Sequence, residues 1–303
     1  RAEYTLCDVR LRNQTSDMHV DGMSIQTGLK GVHLDRMGRL SEWEMEGEEN
    51  PFQAFQDLLA GIQFNFSVNG LCGQHHGVHL SGLHNLGFGL SLSGLNRSLQ
   101  DIDLSYGHSG FQGLEGIPPQ LTLESMDLEL GLSRVPILEA VTTGLFSAQD
   151  TQSVLADLAS RHDTRLELEG LRMALPQGGL TAKGLARALG AKGAHSQDEP
   201  VVEMEADLTI RDLDGLVQAV ISHMEDAQEI EDLQALAAFV ELAAEEGTAE
   251  DGTSIHTLKI IANTLGQLTA NGKDLGPLLQ AADKKSRATS QPEAEQGSAP
   301  DEQ

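Results

Sequence analysis

The densest group of side chains able to do chemistry is Cys72-Gly73-Gln74-His75-His76-Gly77-Val78-His79, with His84 close behind. Thiolate and imidazole at such spacing are zinc ligands, and zinc takes four of them in a tetrahedron. On a continuous strand His75 and His79 share one face while His76 points to the other, so only a turn over Gly73 to Gly77 would converge them. No second ligand cluster follows at a conventional distance. Histidines solvated at a loop and a strand edge are therefore the favoured reading, and a metal-dependent enzyme on Cys72, His75, His76 and His79 ranks third among the functions considered.

The remaining chemistry is sparse. Asp212-Leu213-Asp214-Gly215 has the start of a calcium loop, but such a loop needs an oxygen ligand at its fifth position, which Leu216 occupies. Asp212 or Asp214 as a helix cap fits better. There is no Gly-x-Ser-x-Gly elbow and no phosphate loop ending in Gly-Lys-Ser/Thr. Carboxylates abound, and with 46 of them pairs arise by chance. No catalytic residue is assigned and no cofactor is expected. Cys7 and Cys72 could form one disulfide in an oxidising compartment or stay free thiols.

The charge balance excludes whole classes of partner. Against 46 acidic residues stand 20 basic ones, a formal net charge of −26. Nucleic-acid binding needs a basic footprint, so no nucleic-acid partner is expected. Adsorption to anionic headgroups is disfavoured for the same reason. The belt from Glu225 to Asp251 has no Lys or Arg; it reads first as the solvated side of amphipathic helices and second as a docking face for a basic partner. No run of about 18 apolar residues exists to span a bilayer. The chain begins at Arg1 without an initiator Met and enters strand-like sequence by Tyr4, so a processed or truncated N-terminus is the expectation, and a preceding signal or anchor segment stays open.

The elements that would position these residues are mostly strands. In Ile62-Gln63-Phe64-Asn65-Phe66-Ser67-Val68-Asn69 the even positions are apolar and the odd ones polar, the period of a half-buried strand. Phe66 to Leu71, Val78 to Leu83 and Leu90 to Leu95 repeat the register every 12 residues, each ending in Gly-Leu. That spacing predicts one strand plus one tight turn per unit, an antiparallel meander, with a two-unit solenoid coil as the alternative. Helices are predicted over 52–59 behind Asn50-Pro51, over 137–145, over 150–160, over 213–224 and over 231–246, the last stopping at Gly247. Strands are predicted at 166–175, with a bulge where the phase slips near Gly170, and at 202–210, running straight into the next helix. Residues 255–270 read as paired strands closed by the turn Asn271-Gly272.

The expected fold class is α+β: an extended, twisted antiparallel sheet, a meander with a strand period of about 12 residues, with helices packed on one face. Residues 1–135 form a β-meander region. Residues 136–282 form a mixed helix and strand region continuing the same sheet, and 283–303 form a disordered polar tail.

The order of the C-terminal part resembles the YdgA-like family of bacterial envelope proteins and, more loosely, AsmA-type envelope proteins. The resemblance covers Leu155 to Lys273: a helix, Leu-Glu-Leu-Glu-Gly-Leu, a Gly-turned strand, the strand Val202 to Ile210, Asp-Leu-Asp and a helix, an acidic helix, and strands ending in Asn271-Gly272-Lys273. It implies a non-enzymatic, periplasm-facing protein, anchored at the inner membrane by a segment outside this chain. It also implies a lipid or an envelope protein as partner, and the AsmA-type likeness adds lipid handling along an amphipathic sheet. Phe64, Phe66, Val68, Leu80, Leu90 and Leu92 are the candidate apolar lining. Plain core packing is the competing reading of each, because alternation fixes which face is buried and not what buries it. The alternative function is a secreted or surface interaction module binding through its acidic face.

Overall fold

The computed structural model describes residues 1–12, 16–33, 58–75, 78–111, 119–142, 151–189 and 201–276. They build one open sheet of thirteen strands, antiparallel throughout. In chain order the strands are β1 (Ala2–Arg12), β2 (Ser16–Lys30), β3 (Gly61–His75), β4 (Val78–Ser93), β5 (Gln100–Ser109), β6 (Ser125–Val135), β7 (Arg165–Leu175), β8 (Gly178–Leu189) and β9 (Val201–Arg211). Then follow β10 (Glu245–Thr248), β11 (Ser254–Ala262), β12 (Leu268–Ala270) and β13 (Lys273–Asp274). Each strand up to β9 pairs with its successor; β11 then joins β9, with β10 and β12 sharing its other edge. Strand order following chain order is a meander, and β6 pairs directly with β7 across residue 135.

The 12-residue strand period does not hold. β3 and β4 run for 15 and 16 residues, and the pairs Gly70-Leu71 and Gly82-Leu83 lie inside them, with Leu71 directly opposite Leu83. Gly70 has φ +62°, and a Cβ there would stand 1.9 Å from Asp21 Oδ2. Glycine is required at that point by a distortion within the strand, not by a turn. Only the third repeat, Gly94-Leu95, ends a strand.

Among the described residues four α-helices accompany the sheet: α1 (Ile137–Thr142), α2 (Thr151–His162), α3 (Leu213–Ile221) and α4 (Ala227–Ala243). Buried Gln100 ties α1 to the β4–β5 turn. Its amide donates to the Arg97 carbonyl at 2.6 Å, and its Oε1 accepts from Ile137 N at 3.0 Å. Glu139 of α1 accepts from Arg161 at 3.0 Å and lies 2.6 Å from His162 Nε2, joining α1 to α2. Asp212 caps α3 as expected, its Oδ1 accepting from Gly215 N at 3.1 Å. Asp226 caps α4 by accepting from Gln228 N at 2.7 Å. α4 stops at Ala243, where Ala244 turns extended, and Gly247 sits inside β10 rather than stopping the helix. The expected turn is present: Asn271 and Gly272 both have positive φ and link β12 to β13. Of the helix predicted over 52–59, all but Leu58 and Leu59 lies outside the described residues, as does the tail from 283.

Of the two buried clusters among the described residues, the smaller joins Ala140 of α1 to Leu158 and Val154 of α2, and the larger lies at one end. Ile210, Leu213, Val240, Ala243, Leu258 and Ala270 pack together, drawing in Leu180, Leu208, Val217 and Ile260. α3 and α4 therefore sit on the sheet over β8, β9, β11 and β12. Burying several aliphatic side chains at about 1.5–3 kcal/mol each is what holds them there. Asn271 fastens the far end of α4, its amide donating to Ala243 O at 3.0 Å and Thr257 O at 2.9 Å while its Oδ1 accepts from Lys259 N at 2.7 Å.

Candidate functional site

Strand pairing brings the alternating residues of successive strands into straight apolar rows. One row runs Leu29, Ile62, Leu92, Ile102, Leu132, Leu166, Ala186, Met204, Ala262, Leu268, each residue directly opposite the next. A second runs Phe64, Leu90, Leu104, Leu130, Leu168, Gly184, Ala206, Ile260, Ala270. A third passes through Tyr4, Ile25, Phe66, Phe88, Tyr106, Leu128, Leu171, Ala182, Leu208, Leu258, and a fourth through Leu6, Met23, Val68, Leu86, His108, Met126, Met173, Leu180, Ile210. Residues directly opposite on antiparallel strands share a face. The four rows therefore form one apolar surface. Ten strands at about 4.8 Å per step make it about 43 Å long.

The expected bulge at Gly170 keeps this surface continuous. Register shifts between Leu168 and Leu171 add one residue to β7, so Leu166 and Leu168 before it and Leu171 and Met173 after it stay in phase with β6 and β8. Without the extra residue, half of β7 would turn its leucines to the polar side.

Burial along the rows is uneven. Beneath α3 and α4, Leu258 is 2% exposed and Ala270 is fully buried. In the β3–β6 stretch Phe64, Phe66, Phe88, Leu92, Leu104 and Leu130 are half-buried, and Leu90 is 39% exposed. Phe64 and Phe88 lie tilted at 57° with centroids 6.4 Å apart. The one polar pair in the third and fourth rows satisfies itself. A carbonyl only accepts, so His108 Nε2 donates to Leu123 O at 3.3 Å, leaving Nδ1 to accept from the Tyr106 hydroxyl at 3.1 Å.

The opposite face is polar and acidic. Gln63, Ser91, Asp103 and Glu167 fall in one of its rows, and Asn65, Ser105 and Glu129 in another. An open depression of about 720 Å³ over β6 to β9 is lined by Asp127, Glu129, Glu169, Arg172, Lys183 and Asp207 among others. Beyond it Lys259 pairs with Glu205, whose hydrogen bond holds the ammonium above its ordinary pKa.

Of the residues singled out in the sequence, Phe64, Phe66, Val68, Leu90 and Leu92 come together on the apolar face, Val68 buried and the others less so. Leu80 pairs opposite Gly73 in β4, past a register shift, and nothing further is described of its side chain. Cys72 and His75 lie on the continuous strand β3 and His79 on β4; His76 is outside the described residues. β3 keeps its pairing with β4 through Gly73, Gln74 and His75, the last opposite Val78, so Gly73 to His75 are strand. Among the described residues no group of three or more His, Cys, Asp or Glu could hold a metal ion. Cys7 and Cys72 are exposed free thiols.

No family model, curated protein or solved structure matches the chain. Sequence reasoning missed how far the face extends, through Met23 and Ile25 of β2, Phe88 of β4, Tyr106 of β5 and Leu128 of β6. The alternation of Met126, Leu128, Leu130 and Leu132 was the available signal. Among the described residues no helix is long and apolar enough to cross a membrane.

Proposed function

We propose that this protein is a non-enzymatic, periplasm-facing component of a bacterial cell envelope that holds lipid acyl chains along the apolar face of its sheet. The observation that supports this most is the unbroken registration of apolar residues from β2 to β12, far more surface than α3 and α4 cover. Each methylene laid on such a surface is worth about 0.8 kcal/mol, so a long chain is held by accumulation without any dedicated polar contact. In this reading α1 and α2 lie on the same side as α3 and α4 and border the lipid-bearing stretch. The net charge of −26 selects against anionic headgroups and leaves zwitterionic lipid as the occupant. The acidic opposite face keeps the loaded sheet in water. The envelope assignment rests on the pattern running from Leu155 to Lys273.

The test is native mass spectrometry of gently purified protein. Co-purified phospholipid is expected, and Leu90→Asp combined with Leu104→Asp is expected to strip it while circular dichroism stays unchanged. A lipid-free chain that also takes nothing up from phosphatidylethanolamine vesicles sinks the reading. The acidic depression over β6 to β9 favours a second reading, a basic partner on the polar face. Lipid-free protein whose binding to a basic partner fades with salt would support that instead.

A further inference from the structure

We propose that two copies of this chain join edge to edge through β1, antiparallel about a two-fold axis at Thr5, so that the two sheets become one. The proposal goes beyond the lipid reading and does not depend on it. The two lateral ends of the sheet are built differently. At the far end the outer strands are four, three and two residues long, and β10 is exposed Glu-Glu-Gly-Thr. Short and charged strands are how proteins blunt a sheet edge against pairing. β1 has eleven residues, and its first half, Ala-Glu-Tyr-Thr-Leu-Cys, has no proline, no lysine and a single charge. Among the described residues no strand lies outside it. Its guard comes only at Asp8, where φ is +50° and the pairing with β2 skips a step.

Three further facts favour a second copy as the occupant. Tyr4 and Leu6, which begin the third and fourth apolar rows, are 66% and 52% exposed. With Thr5 opposite its own mate, Tyr4 of one copy lies opposite Leu6 of the other, so apolar residues meet apolar ones and the rows continue across the join. The first twelve residues also carry three arginines against Glu3 and Asp8, a local excess of positive charge in a chain of net charge −26, so like-charge repulsion is weakest along this edge. An isologous contact uses up the open edge of both partners and closes at two copies.

Sedimentation equilibrium of the full chain without added lipid tests this. A reversible dimer is expected, and Tyr4→Lys with Leu6→Lys, both at exposed positions, is expected to weaken it at least about tenfold while leaving the circular dichroism spectrum unchanged. A cross-link reads the geometry independently. In a Cys7→Ser, Cys72→Ser background, Thr5→Cys is expected to form an intermolecular disulfide, since paired Cβ atoms across strands lie about 4.5–5.5 Å apart. Ser24→Cys, one strand further in, is expected to form none. A monomer at tens of micromolar overturns the proposal, as it would if another segment of the polypeptide occupied the edge. A dimer indifferent to the lysines, or one cross-linked through Ser24→Cys and not Thr5→Cys, overturns it equally.

Discussion

The two ends of this sheet carry the same alternation of apolar and polar residues and use it differently. From β8 to β12 α3 and α4 lie on the apolar rows, and beneath them Ile210, Leu258 and Ala270 are buried while Met204, Leu208 and Ile260 are half-buried. From β3 to β6 the same rows continue in register, with larger side chains, yet Leu90 and Ile62 stay substantially exposed. What differs is the cover, not the strand pattern. The covered end is stapled: Asp212 starts α3, Asp226 starts α4, and Asn271 binds both the last turn of α4 and the neck of β11. An apolar row is thus core where a helix is pinned above it and, in the reading we propose, binding surface where none of the described helices lies.

Substitutions that treat the two ends alike sharpen or break this contrast. The largest effect is expected from Leu258→Ala, which opens a cavity in the covered end and should cost about 2–5 kcal/mol in chemical denaturation. Leu90→Ala, at the matching kind of position in the open stretch, should cost about 1 kcal/mol or less. Equal losses would make the open stretch core and remove the distinction. Next comes Asn271→Ala, which leaves the Ala243 and Thr257 carbonyls without their donor and puts alanine at φ +47°. It should cost about 1–3 kcal/mol and speed hydrogen exchange in α4 before β3 or β4. Asp212→Ala removes a cap and should cost about 0.5–2 kcal/mol, again felt in α3 first.

The smallest effect concerns pH. A hydrogen bond from Arg165 holds the Asp163 carboxyl below its ordinary value of 3.8. A carboxyl depressed in the folded state stabilises at every pH above its unfolded value, and that contribution is lost as pH falls through the folded value. Asp163→Asn should therefore flatten the acid end of the stability profile, below about pH 4, and lower stability slightly at neutral pH. Lys259, raised by Glu205, has the opposite sign: its contribution is complete below 10.5 and fades only in more alkaline solution.

The sequence was most legible where one residue type has one local use. Asp212 as a cap, Asn271-Gly272 as a turn and the slip at Gly170 all follow from short-range backbone chemistry, and the structure has each of them. It misled where one residue has two uses. A Gly-Leu pair repeated every 12 residues reads equally as a turn or as an in-strand distortion, and at Gly70 the deciding neighbour is Asp21, on another strand. Gly247 misled likewise, because α4 ends when Ala244 swings into the strand pairing with β11, a tertiary demand. The alternating faces of β3 and β4 were readable, but the ten-strand length of the apolar surface is a property of register, which no single strand carries.

The most direct test is where a bound acyl chain touches the protein. Phosphatidylethanolamine bearing a photoreactive group in its acyl chain, incubated with the protein and irradiated, should label Phe66, Phe88, Leu90 and Leu104 and spare their neighbours Asn65, Ser91, Asp103 and Ser105. Labelling spread evenly over both sets, or confined to the residues beneath α3 and α4, would contradict the claim that the uncovered rows are the binding surface.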